Sequence, residues 1–95
     1  MRPMGTDTIR RRLVVHGRVQ GVFFRNATRE AAVGEGVAGW VTNRADGAVE
    51  AVLEGPRHAV DTVTGFCRQG PPRARVERVE QHSESPEGLT GFEIR

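Results

Sequence analysis

The sequence predicts an α+β fold in which two helices lie on one face of a mixed, mostly antiparallel sheet. Three observations carry that expectation. Runs of alternating or β-branched residues give way twice to segments whose apolar residues recur every three or four positions. The dipeptide Asp46-Gly47 joins two of the strand-like runs, as the turn of a hairpin would. The chain has 95 residues, the size of one domain, and folding at that length buries roughly two-thirds of the surface an unfolded chain exposes.

Taken in order, residues 1–8 carry Pro3 and Gly5 with no apolar periodicity and are expected to form a disordered leader, so that a single domain occupies residues 9–95. The first strand begins at Ile9, with Ile9, Leu13 and Val15 on one side and Val14 on the other. Gly17 and Gly21 then break the pattern, and a helix follows from Phe24. It sets Phe24, Ala27 and Ala31 on its inner stripe, turns Arg29 and Glu30 outward and stops at Gly34, Glu35 and Gly36. The second and third strands cover residues 37–43 and 48–55. Pro56 suits the first turn of a second helix, in which Val60, Val63, Phe66 and Cys67 recur at helical spacing and which Gly70, Pro71 and Pro72 end. Val76 and Val79 mark a fourth strand; their spacing does not alternate strictly, so a bulge or a late start is expected there. Phe92 and Ile94 mark a short last strand. Right-handed crossovers in both halves would set the first and third strands side by side and parallel. This order, βαββαβ plus a short C-terminal strand, is the ferredoxin-like split βαβ, which hosts many unrelated functions.

Composition narrows the partners. All 14 basic residues are arginine, yet the formal net charge is only +2, because glutamates at 30, 35, 50, 54, 77 and 80 interrupt them. Nucleic-acid binders gather positive charge on one face, and an RNA-recognition sheet needs aromatics on its two central strands, which the first and third strands lack. No nucleic-acid partner is expected. No segment reaches the length of a membrane span, so no membrane partner is expected either. One cysteine, Cys67, rules out an internal disulfide or a multi-cysteine metal site; on the apolar stripe of the second helix it is expected to be a buried, inert thiol. His58 and His82 have no second ligand at metal spacing, and His16 reads as a half-exposed strand residue. Neither metal nor cofactor is expected. The N-terminal residues carry charge without an apolar core, unlike a secretory signal, which with the lone cysteine points to the cytoplasm. Phe23 and Phe24 are expected to anchor the loop and helix to the core, and Trp40 and Phe92 to pack on the sheet.

One stretch suggests chemistry. Gly17, Arg18, Val19, Gln20, Gly21 and Val22 lead straight into a helix N-terminus, where several N–H groups lack intrahelical partners and the macrodipole is positive. Glycines at 17 and 21 would let successive amides face inward as a nest for phosphate oxygens. Arg25, on the first helical turn, would swing its guanidinium to the same point and bind phosphate or carboxylate through two parallel charge-assisted bonds. The nucleotide P-loop and the dinucleotide fingerprint are both absent. Taken alone, the same residues also describe a tight strand-to-helix loop with a solvated arginine, and Asn43 a strand-end residue capping the backbone.

GRVQGVFFR at 17–25, GWVTNRADGAVE at 39–50 and Glu54-Gly55 resemble the acylphosphatases, and the resemblance runs from Ile9 to Arg95, including GFEIR. Many members of that family carry an aromatic after F-x-I-R, where this sequence has Arg95 as its last residue. The resemblance implies a ferredoxin-like enzyme that hydrolyses the carboxyl–phosphate bond of small acyl phosphates, releasing a carboxylate and inorganic phosphate without a metal. It also implies that the backbone of residues 17–22 and Arg25 bind the phosphate, and that Asn43 positions the attacking water. A carboxylate is a good leaving group, so positioning and charge stabilisation can carry most of the rate. Asn43 offers an acceptor and two donors but no useful basicity, so a substrate oxygen is expected to take the water's proton. A monomeric, independent enzyme is expected. The alternatives are a noncatalytic ferredoxin-like module that binds phosphate or carbamoyl phosphate, or one that binds RNA.

Overall fold

Side chains alternate across β1 (Thr8–Arg18), so Leu13 and Val15 enter the core while Val14 faces the other way. The chain then follows, in a computed structural model that describes residues 7–95, α1 (Phe24–Glu35), β2 (Ala38–Asn43), β3 (Val49–Pro56), α2 (Arg57–Gln69), β4 (Arg75–Glu84) and β5 (Phe92–Ile94). Most of the expected leader, residues 1–6, lies outside the described residues. Thr8 already pairs with Pro56, so the first strand starts one residue earlier than Ile9.

The sheet order is β4-β1-β3-β2-β5. The first and third strands are neighbours as expected, but they run antiparallel, not parallel. Two connections explain the correction. The crossover through α1 leaves β1 and β2 pointing the same way with a gap one strand wide, and the tight turn after Asn43 reverses the chain, so β3 fills the gap against both neighbours. Among the described residues, β2 with β5 is the parallel pair. The irregularity expected near Val76 is a bulge: His16 faces Arg78 and Gly17 faces Val76, leaving Glu77 as the extra residue of β4.

Both helices cover the face that carries Leu13, Val15, Val41, Val49, Ala51 and Leu53, and all of these belong to one core cluster with Phe24, Val60, Val63 and Cys67. On α1 the buried stripe is Phe24, Thr28 and Ala32, not Phe24, Ala27 and Ala31. Strict four-residue spacing prevails because α1 also packs on α2, where the Thr28 hydroxyl lies 3.9 Å from the Cys67 sulfur. Burial of Phe24 contributes roughly 1.5–3 kcal/mol, and its ring meets Phe66 of α2 with centroids 6.4 Å apart. Gly36, with φ +70°, closes α1 by donating to the carbonyls of Ala32 and Val33.

The opposite face has no helix and is covered by its own charged side chains. Arg10 and Arg12 share Glu84, at 2.8 and 2.6 Å, and Arg12 also pairs with Glu50. Trp40 lies on this face beneath the guanidinium groups of Arg12 and Arg95, whose central carbons stand 5.5 and 4.9 Å from the ring centroid.

Candidate active site

The turn between β1 and α1 needs two left-handed residues. Gly21 adopts φ +74°, and Phe23 adopts φ +63°, the one positive-φ residue other than glycine among those described. The first helical bond of α1 runs from Ala27 N–H to the Phe23 carbonyl at 3.0 Å. By helix geometry the amides of Phe24, Arg25 and Asn26 have no carbonyl within the helix to donate to, and no acidic side chain sits in that first turn. The positive end of α1 is therefore unneutralised at the loop.

Two further elements converge there. β2 ends at Asn43, whose backbone pairs with Val49, and β5 lies beside β2 with Ile94 opposite Val41. A cavity of about 300 Å³ opens between them, lined by Val19, Gly21, Arg25 and Asn43 together with Phe23, Phe24, Asn26 and Ile94. Arg25 and Asn43, 18 positions apart in the sequence, thus share one cavity. Arg10, Arg12 and Arg44 are committed to carboxylates; the Arg25 side chain makes no ion pair or hydrogen bond among the described residues. Arg25 is the sole ionisable side chain in the lining.

Of the six residues expected to bind phosphate through their backbone, Val19 and Gly21 line the cavity. Gly17 and Arg18 belong to β1, so the loop proper is residues 19–23. Gly17, with φ +131°, is required by β4: a Cβ there would lie 2.1 Å from the Arg75 carbonyl oxygen. Arg18 is exposed at the strand end, where it lines a separate cleft with Arg73 and Arg75. Val22 is buried in the core. Gln20 turns its side-chain amide away from the cavity lining and donates to the carbonyls of Arg44 at 2.8 Å and Ala48 at 3.0 Å, lacing the loop to the β2–β3 turn. That turn is itself braced. Asp46 accepts from the Ala48 amide at 3.0 Å and pairs with Arg44 at 3.0 Å, and these contacts hold its carboxyl below the ordinary range.

Phe23 corrects another expectation. It does not anchor the loop to the core but is 71% exposed at the cavity edge, whereas Phe24 is buried. Ile94 was legible as a strand residue, but its place at the cavity depends on parallel pairing with β2, for which no local signal exists. Asn26 is legible only as a neighbour of Arg25 on the first turn.

Other titratable groups are engaged away from the cavity. His16 lies 2.6 Å from Glu80 across β1 and β4, a contact that lowers the Glu80 carboxyl. Burial pushes the Cys67 thiol up to about 12, which keeps it protonated and unreactive. Among the described residues no group of three or more His, Cys, Asp or Glu is poised to hold a metal ion. No helix among them is long and apolar enough to cross a membrane. Amide donors, one planar cation and the carboxamides of Asn26 and Asn43 form a set suited to a tetrahedral oxyanion and a nearby water.

The family model described as Acylphosphatase matches residues 11–94. An acylphosphatase of Gloeobacter violaceus is 58% identical over 86 residues, covering 90% of this chain and 92% of that protein. One from Natronomonas pharaonis is 52% identical over 90 residues, covering 95% and 98%. In three dimensions the chain resembles the solved acylphosphatase of Coxiella burnetii with a TM-score of 0.90 at 35% identity, covering 94% of both chains. A match across nearly every element, including the loop before α1 and the end of β2, identifies the chain as a member of the acylphosphatase family of enzymes.

Proposed function

We propose that this enzyme hydrolyses the carboxyl–phosphate bond of small acyl phosphates, with Arg25 and the amides at the loop and helix start holding the phosphoryl group and Asn43 holding the attacking water. The observation that carries this reading is the shared cavity: an uncompensated guanidinium and a strand-end carboxamide converge at the positive end of α1. The phosphoryl oxygens take the amide donors and the planar fork of Arg25, which neutralise charge as the transition state develops. From the end of β2, Asn43 accepts from and donates to a water held opposite the leaving carboxylate.

Water oxygen forms the new bond to phosphorus while the bond from phosphorus to the carboxyl oxygen breaks. No His, Asp, Glu or Cys lines the cavity, which supports transfer of the water's proton to an oxygen of the phosphate or of the departing carboxylate. Nor is a metal needed, because Arg25 and the amides supply the positive field. The buried, reduced Cys67 is consistent with a cytoplasmic setting.

The test is phosphate release from benzoyl or acetyl phosphate in the presence of a chelator, by the wild type and by Arg25→Ala. Wild type is expected to turn over undiminished and Arg25→Ala to lose measurable activity. Equal activity of the two, or loss of wild-type activity to the chelator, overturns the assignment.

A further inference from the structure

We propose, resting on that reading of the cavity, that Phe23 and Ile94 form the subsite for the acyl group and select substrates whose acyl part is uncharged and apolar or aromatic. Three large apolar side chains are exposed among the described residues, Phe23, Val33 and Ile94, and two of them line the one cavity that also holds Arg25 and Asn43. Phe23 is not exposed for want of a core, since its neighbour Phe24 is 2% exposed.

The backbone of Phe23 sharpens the point. Its φ of +63° lies in the left-handed region, where glycine or asparagine sits with least strain and an aromatic residue is uncommon. At 71% exposure the ring gains little from burial in the folded chain alone. A residue that suits the turn poorly and the core hardly at all serves the cavity it borders. Ile94 contributes from β5, an element separate from the loop, so two elements present apolar surface to one space.

Charge points the same way. Arg25 is the only ionisable side chain in the lining, and the phosphoryl group takes it. A second anionic group on the acyl part would find no cation there and would lose water against the Phe23 ring. A phenyl or alkyl acyl group would instead cover Phe23 and Ile94 as it docks.

The test compares kcat/KM for benzoyl, acetyl and succinyl phosphate, the last ending in a carboxylate, in the wild type, Phe23→Gly, Phe23→Leu and Ile94→Ala. The wild type is expected to favour benzoyl over succinyl phosphate by about tenfold or more. Phe23→Gly, whose backbone fits the turn, is expected to lower the benzoyl-to-acetyl ratio by about tenfold, and Ile94→Ala by several-fold, while Phe23→Leu retains most of it. Equal losses on benzoyl and acetyl phosphate, or losses matched by weaker inhibition by inorganic phosphate, would show that Phe23 only shapes the loop, and so would a preference for succinyl phosphate sink the subsite. In each of those cases hydrolysis itself persists and the proposed reaction stands. A wild type inert on all three substrates removes both.

Discussion

Gln20 reaches from the loop after β1 to the carbonyl of Arg44 at 2.8 Å, one residue past Asn43. This bond, with its companion to Ala48 at 3.0 Å, fixes the distance between the segment that carries Arg25 and the strand end that carries Asn43. Gln20 is accordingly a positioning residue. Gln20→Ala removes bonds that contribute about 0.5–1.5 kcal/mol each, a small change in stability, but it frees the two halves of the cavity to drift. Displacement of that kind costs up to about a hundredfold in rate. Steady-state kinetics on benzoyl phosphate should show kcat down by about tenfold or more, with the melting temperature lowered by about 5–10 °C. An unchanged kcat would mean that the loop holds its position without Gln20.

Arg25 and Asn43 should separate under mutation. Arg25→Lys keeps the charge but loses the planar fork, so both phosphate inhibition and turnover should fall, by roughly a hundredfold or more in kcat/KM. Asn43→Ala should lower kcat by about as much while inorganic phosphate still inhibits near its wild-type concentration. Were Asn43→Ala to abolish phosphate inhibition and spare kcat, Asn43 would be a phosphate ligand and the water would need another holder.

The two helices, the hairpin and the bulge of β4 were legible because each has a local cause: helical spacing in 57–69, Asp46-Gly47 at the turn, and the broken alternation of Val76 and Val79. Arg25 was a candidate from its place on the first turn of α1, whereas Asn43 became one only through the family motifs; both line one cavity. What escaped the sequence depends on partners distant along the chain. Gly17 reads as a loop glycine until the Arg75 carbonyl stands against it. Thr28 reads as polar until Cys67 of α2 covers it, and Ile94 joins the cavity only through its pairing with β2. Phe23 inverts the ordinary expectation that a large apolar residue goes inside, as residues at functional sites often do.

Gly17 should tolerate no side chain. A Cβ at this position would stand 2.1 Å from the Arg75 carbonyl oxygen and 2.9 Å from the Glu77 amide nitrogen, both backbone atoms of the bulged strand. Relief requires β1 and β4 to separate at the bulge, so Gly17→Ala should cost roughly 2–4 kcal/mol. For a domain of this size that lowers the melting temperature by about 10 °C or more. A melting temperature within a degree of wild type would show that the two strands part here at little cost.

Acid should unfold the domain through the helix-free face. Hydrogen bonds from Arg12 and then Arg10 hold Glu84 down to about 2, from an ordinary value of 4.5. Burial opposes ionisation of Glu54, but the amides of Glu87, Leu89 and Gly88 and the Arg10 guanidinium outweigh it, so its carboxyl also sits below the ordinary range. A carboxyl whose value is lowered by folding binds protons more readily when unfolded. The stability it contributes is therefore complete above about pH 4.5 and drains away as the pH falls toward the folded value. Melting temperature should fall steadily between pH 5 and pH 2, and Glu84→Gln should begin lower at pH 7 and fall less over that window. Glu54→Ala should be the harsher change at neutral pH, since it leaves three amides without their acceptor and the Arg10 side chain, 6% exposed, short of one carboxylate. If Glu84→Gln retained the full acid slope, the proton uptake that unfolds the domain would belong to a different carboxylate, and Glu54, which fastens residues 87–89 to β3, is the one to test next.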